Sequence, residues 1–222
     1  LPSFPTRRSS DLTFVSRKEA GLILAKELFK YQQDKKAVVL GLPRGGVVVA
    51  AQVANFLNLP LDVILLRKLP YPPQPELAVG AVAEHGSVFI NEEFRKAARE
   101  DSSWLEEIVR EQRAVIRERA NLYRPHRHAA DLSGKTVLLV DDGIATGATV
   151  RVAIQAARAG GASRVVVAIP VAAPSSVREL QAEADEVVCL DAPEDFYAVG
   201  QAYQSFDQIS DQEVCEILDR NA

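Results

Sequence analysis

The sequence predicts an α/β fold: a Rossmann-like, mostly parallel sheet with helices on both faces, plus a small hood. Two observations lead there. Short apolar runs rich in Val, Ile and Leu recur along the chain, and stretches of helical period separate them. Strands that read as continuous apolar runs are buried on both faces, and their alternation with helices implies parallel pairing through right-handed crossovers. A third observation sets off the hood: the interval 69–130 breaks this alternation with a proline-rich stretch, a hairpin and a long helix.

The elements follow in order. Ser16 caps a first helix, with Glu19 three residues on as its capping-box partner, and Ala20, Ile23, Leu24, Leu28 and Tyr31 recur at helical spacing. The run 37–42 is a buried strand ending in PRGG, 47–57 a helix, and 61–68 a second buried strand. Four prolines in 69–77 predict a loop, because proline lacks the donor a sheet needs. The runs 78–83 and 87–90 read as a hairpin. Helical sequence runs over 91–123, with a break near Asp101 and Ser102. Strands at 136–142, 164–172 and 186–191 enclose helices at 146–160 and 175–184, and a short helix spans 211–218. Ligands of such folds sit at the carboxyl ends of the strands, so the chemistry is expected there.

At 222 residues the chain suits a single domain, 13–222, with 69–130 as the hood. The first twelve residues carry no period; their stretch SFPTRRSSDL resembles a translated sequencing adapter and is expected to be non-native and disordered. Without Arg7, Arg8 and Asp11 the formal charge moves from -4 to -5. That balance argues against a general nucleic-acid or anionic-membrane binder, and no apolar run approaches the roughly 20 residues of a membrane helix. Cys189 and Cys215 lack metal-ligand spacing and read as buried or half-buried thiols, which suits a reducing cytoplasm.

The most informative segment is VLLVDDGIATGAT, 137–149. A strand, two acidic residues, a loop of small residues and a helix start follow one another. Gly147, with Ala145, Ala148 and Thr149, lets backbone N–H groups turn toward one point, where the helix dipole also favours an anion. Thr146 and Thr149 add hydroxyl donors. Two carboxylates would repel a bare phosphate; they fit the vicinal hydroxyls of a phosphorylated ribose, or a metal. The alternative is an acidic turn before a capped helix. A Walker A loop is excluded by the missing lysine, and a dinucleotide loop because the acids precede the glycines.

This segment resembles the phosphoribosyl pyrophosphate (PRPP) signature of type I phosphoribosyltransferases. The segments FVSRKEAGLILAKEL, VVLGLPRGGVVVAAQVA, LDVILLRKL, PELAVGAVAE and FYAVGQAYQSFDQISDQEV resemble one predicted bacterial and archaeal subgroup of that family. The resemblance implies that family's fold and the transfer of a 5-phosphoribosyl group from PRPP, with Mg²⁺ carried by PRPP, to a small-molecule acceptor. It implies that Ala145, Thr146, Gly147, Ala148 and Thr149 bind the 5-phosphate. Pro43, Arg44 and Gly45 then bind pyrophosphate through a loop with a cis Pro43-Arg44 bond, joined by Arg67 and Lys68 at the end of the second strand. Asp141, Asp142, Lys68 and Arg44 are the expected catalytic set. No direct metal ligand is expected, although Asp141 or Asp142 can reach Mg²⁺ through water.

The proline-rich segment resembles a mobile hood that excludes water. Its Glu76 is either an acid or base, or a surface residue. Arg110, Arg113, Arg117 and Arg124 interleave with glutamates and read as a solvated, ion-paired face; His126 and His128 lack a third metal ligand. Alanine at 145 counts against 6-oxopurine acceptors, which the family meets with an aspartate there, and leaves the acceptor open. A non-catalytic PRPP sensor and a hydrolase on the same fold are the alternatives. Phe196, Tyr197, Tyr203 and Phe206 stack on a base, close the core, or form the face of a homodimer.

Overall fold

The computed structural model describes residues 13–84, 86–91, 94–95, 102–125 and 127–221. The segment 1–12 lies outside them, as does most of the helix expected before the break near 101. The described chain runs α1 (Arg17–Glu27), β1 (Ala37–Gly41), α2 (Gly45–Leu57), β2 (Leu61–Val63), β3 (Leu66–Tyr71), β4 (Gln74–Ala83), β5 (Val88–Ile90), α3 (Ser103–Tyr123), β6 (Thr136–Val140), α4 (Ala148–Ala159), β7 (Arg164–Val171), α5 (Pro174–Glu183), β8 (Glu186–Asp191) and α6 (Asp211–Arg220).

Five strands form a parallel sheet in the order β2-β1-β6-β7-β8. Side chains alternate along each strand and feed two apolar layers. Val39, Leu138 and Val166 pack toward α1, α2 and α6. Val38, Leu139 and Val167 pack toward α4 and α5. Chain order reverses between β1 and β6, so their carboxyl ends flank the crevice where such sheets hold ligands. There Gly41 is in register with Val140, and Leu42 N donates to Val140 O at 2.9 Å.

The hood differs from expectation in two ways. The strand predicted over 61–68 is two strands in two sheets. β2 ends at Val63, and Leu66 opens an antiparallel sheet β3-β4-β5 by pairing with Ala83. Ile64 and Leu65 between them are buried. An apolar run reports burial and not sheet membership, so sequence pattern does not reveal the break. Nor is 69–77 a loop: β3 and β4 form a hairpin that turns at Pro72 and Pro73. Pro70 lies on edge strand β3, and Pro75 falls where the register slips between Tyr71↔Gln74 and Pro70↔Ala78. Edges and bulges are the places where a strand tolerates proline. The β4–β5 hairpin matches the prediction.

Candidate functional site

The site starts from glycine. β1 leads through Pro43 and Arg44 into α2, and the Pro43-Arg44 bond is cis. A Cβ on Gly45 would collide with Asp142 Oδ2, and one on Gly46 would lie 2.8 Å from Asp141 Oδ1. The acidic pair thus packs directly against the backbone of these glycines. Arg44 is exposed, at the N-terminal boundary of α2.

The two aspartates differ. Asp142 N donates to Asp141 Oδ1 at 2.8 Å. Burial and the neighbouring Asp142 charge push the Asp141 carboxyl well above the ordinary carboxylate range. Asp142 instead receives Arg17 Nε at Oδ2, 2.7 Å away, with side chains only 9% and 15% exposed. The Arg17 guanidinium lies 3.8 Å from the centre of the Phe206 ring, and its Nη1 donates to Asp207 O at 2.8 Å. Tyr203, buried and stacked on Phe206, donates its hydroxyl to Asp142 O at 2.5 Å. Thus Tyr203 closes the core behind the acidic pair, whereas Tyr197 is 80% exposed.

Beyond the pair, Ile144 N donates to Val171 O at 2.9 Å and Ala173 N to Ile144 O at 3.0 Å, pinning the loop to the end of β7. The Ser176 hydroxyl, buried, donates to Ala145 O at 2.7 Å. Gly147 takes φ +71° ahead of α4, a conformation that suits glycine. Ala145, Thr146, Ala148 and Thr149 surround it, and all but Gly147 itself are exposed. The first-turn amides of α4 have no intrahelical acceptor and face the same crevice.

Arg67 and Lys68 reach the crevice from β3 of the hood, not from the end of a core strand. With Ala148 and Thr149 they line a cavity of about 470 Å³ between hood and core. Arg67 Nε donates to Gln112 Oε1 at 3.1 Å. Glu76 lies in β4, but its side chain falls outside the described residues, so its expected role rests on sequence alone.

One sequence expectation for the hood helix fails. Arg124 is not on a solvated face: its side chain is 2% exposed, bonded through Nη2 to Glu84 and 3.5 Å from Asp62 Oδ1. It sits where hood and core meet, and charge spacing does not register that junction. Arg110 does pair with Glu107 on the exposed face. Among the described residues no three His, Cys, Asp or Glu side chains group as metal ligands, and His126 lies outside that set.

Arg17, Ser176 and the backbone role of Tyr203 escaped the sequence reading. One signal for Arg17 was available: a cation at the first position of a helix opposes the helix dipole, so another partner has to hold it.

Parallel sheet, crevice, paired aspartates and small-residue loop together define a doubly wound α/β protein with a ligand crevice at its switch point. The phosphoribosyl transferase domain model matches residues 18–205, and the chain belongs to that family. Proteins of two Mycobacterium tuberculosis strains, each named "Putative phosphoribosyl transferase", are 46% identical over 93% of this chain and 46% of their own length. The chain therefore spans about half the length of the curated relatives it matches. The crystal structure of TT1426 from Thermus thermophilus superposes with a TM-score of 0.83 at 46% identity, covering 95% of this chain and 99% of that one. Among the described residues no helix is long and apolar enough to cross a membrane.

Proposed function

We propose that this chain transfers the 5-phosphoribosyl group of PRPP to a nucleobase-type acceptor and releases pyrophosphate. The reading rests chiefly on one observation: Gly45 and Gly46 pack against Asp141 and Asp142 at the β1/β6 switch point. This arrangement brings the 43–46 loop, the acidic pair and the 145–149 loop around one crevice, the order of groups along PRPP. In the reaction the C1–O bond breaks and its electron pair leaves with pyrophosphate. The acceptor nitrogen forms the new C1–N bond and gives up its proton to solvent.

Positive charge develops on the ribose ring and negative charge on the leaving group. Asp141, whose second carboxylate oxygen faces no other protein donor among the described residues, takes the ribose hydroxyls and favours the cationic ring. Asp142, already paired with Arg17, orients Asp141 through its backbone N–H. Arg44, Arg67 and Lys68 hold the pyrophosphate. The amides and hydroxyls of 145–149 anchor the 5-phosphate, so that remote binding energy positions C1. Mg²⁺ carried by PRPP would neutralise pyrophosphate charge, and Asp141 or Asp142 would hold it through water. Ala145 offers no carboxylate to a purine, which favours acceptors other than 6-oxopurines. The free thiols Cys189 and Cys215 suit a cytoplasmic setting.

Incubation with PRPP and Mg²⁺, with and without a panel of nucleobases, tests the proposal. Pyrophosphate release that depends on one base supports transfer. Release without any base replaces it by hydrolysis, and tight PRPP binding without turnover replaces it by a sensor. Absence of PRPP binding overturns all three.

A further inference from the structure

We infer that Arg119, on the hood helix α3, is a substrate-binding residue for the pyrophosphate group; the inference rests on the PRPP reading above. Ile116 and Tyr123 are the buried residues of this part of α3, and Arg119 lies between them at spacings of three and four. Helical neighbours at those spacings share a face, so the half-buried Arg119 points inward with them. It lines a narrow cavity of about 50 Å³ together with Pro43, Arg67 and Thr149. Those three residues come from the three segments assigned to pyrophosphate, hood and 5-phosphate.

The charge pattern points to an anion. Arg67 and Arg119 line this cavity, Lys68 joins Arg67 on the neighbouring one that shares Thr149, and among the described residues none of the three is ion-paired with a carboxylate. Other arginines of the hood helix and its end are engaged: Arg110 with Glu107, Arg113 with Gly86 O, and Arg124 with Glu84 and Asp62. The carboxylate beside Tyr123, Asp211, accepts the Tyr123 hydroxyl. Burial and Asp211 hold that hydroxyl well above the ordinary phenol range. Several cations gathered without a carboxylate repel one another, and a polyanion relieves that repulsion. Pyrophosphate offers the charge and the paired oxygens that a guanidinium fork meets.

Titration calorimetry with Mg²⁺-pyrophosphate and, separately, with ribose 5-phosphate tests this on the whole chain. Arg119→Gln is expected to weaken pyrophosphate binding about tenfold or more, while ribose 5-phosphate changes less than about twofold. Arg119→Lys should recover part of the loss, and Arg117→Gln, on the exposed face, should match the unmodified protein. Unchanged pyrophosphate affinity in Arg119→Gln overturns the inference and leaves the PRPP reading standing, as does an equal loss for both ligands, which would mark a merely structural role. Failure of the unmodified protein to bind either ligand overturns both.

Discussion

Arg17 Nε donates to Asp142 Oδ2 at 2.7 Å, joining the first helical residue to the second aspartate of the VLLVDDGIATGAT segment across 125 positions of sequence. The pair is largely buried, and Phe206 and Asp207 hold the guanidinium from its other side. Arg17→Gln leaves a carboxylate without its counterion at the proposed PRPP site. We expect a stability loss of about 3 kcal/mol in urea unfolding, together with weaker PRPP binding. Lysine should restore little, since it cannot reach Asp142 and Asp207 at once. An unfolding midpoint and a PRPP Kd both equal to those of the parent would refute the role.

The same ion pair changes which aspartate best reports on PRPP. Asp142→Asn disturbs a buried arginine as well as the site, so it should lower both stability and PRPP binding. Asp141→Asn keeps the oxygen that accepts Asp142 N and removes a charge that burial already disfavours. It should therefore leave the thermal midpoint unchanged or raised, while turnover falls by about tenfold or more. Equal melting losses in the two variants would contradict this division of labour.

At the hood junction, Arg124 faces two carboxylates that are not equally dependent on it. Asp62 also accepts Val63 N at 2.7 Å and Ala130 N at 2.8 Å, whereas Glu84 has Arg124 as its side-chain partner. Arg124→Met should cost about 3–5 kcal/mol by stranding buried charge. Adding Glu84→Gln should recover part of that, and a double variant no more stable than the single would discount the pairing.

Away from the site, Glu186 receives Tyr31 Oη at 2.7 Å, Lys30 Nζ at 2.7 Å and Arg164 Nη2 at 3.0 Å. Burial alone would raise its carboxyl; the hydrogen bonds from Lys30, Tyr31 and Arg164 outweigh burial and hold it below 4.5. A depressed carboxyl stabilises the fold above its unfolded value and loses that contribution as pH falls through the folded one. Melting curves should thus separate the parent from Glu186→Gln near neutrality and converge as pH drops below about 4.5. A gap that stays constant through this range would show that Glu186 ionisation is irrelevant.

The sequence alone carried the parallel α/β class, core strands at 37–41, 136–140, 164–171 and 186–191, and the loops that meet at the crevice. Those features are local: a buried strand is an apolar run, and VLLVDDGIATGAT spells strand, acids, loop and helix in one contiguous piece. What depends on partners distant in sequence did not appear there. Whether 61–68 is one strand or two, and whether prolines 70–75 break a strand or bulge it, depends on pairing with 74–83. Arg124 looked like one cation of a solvated stripe, and only Asp62 and Glu84 make it a buried junction. The acidic pair was legible as two charges, yet its asymmetry was not. Tertiary structure alone brings Arg17 and Tyr203 onto Asp142 and buries Asp141 beside that charge, because a charge is set by its neighbours in space rather than in sequence.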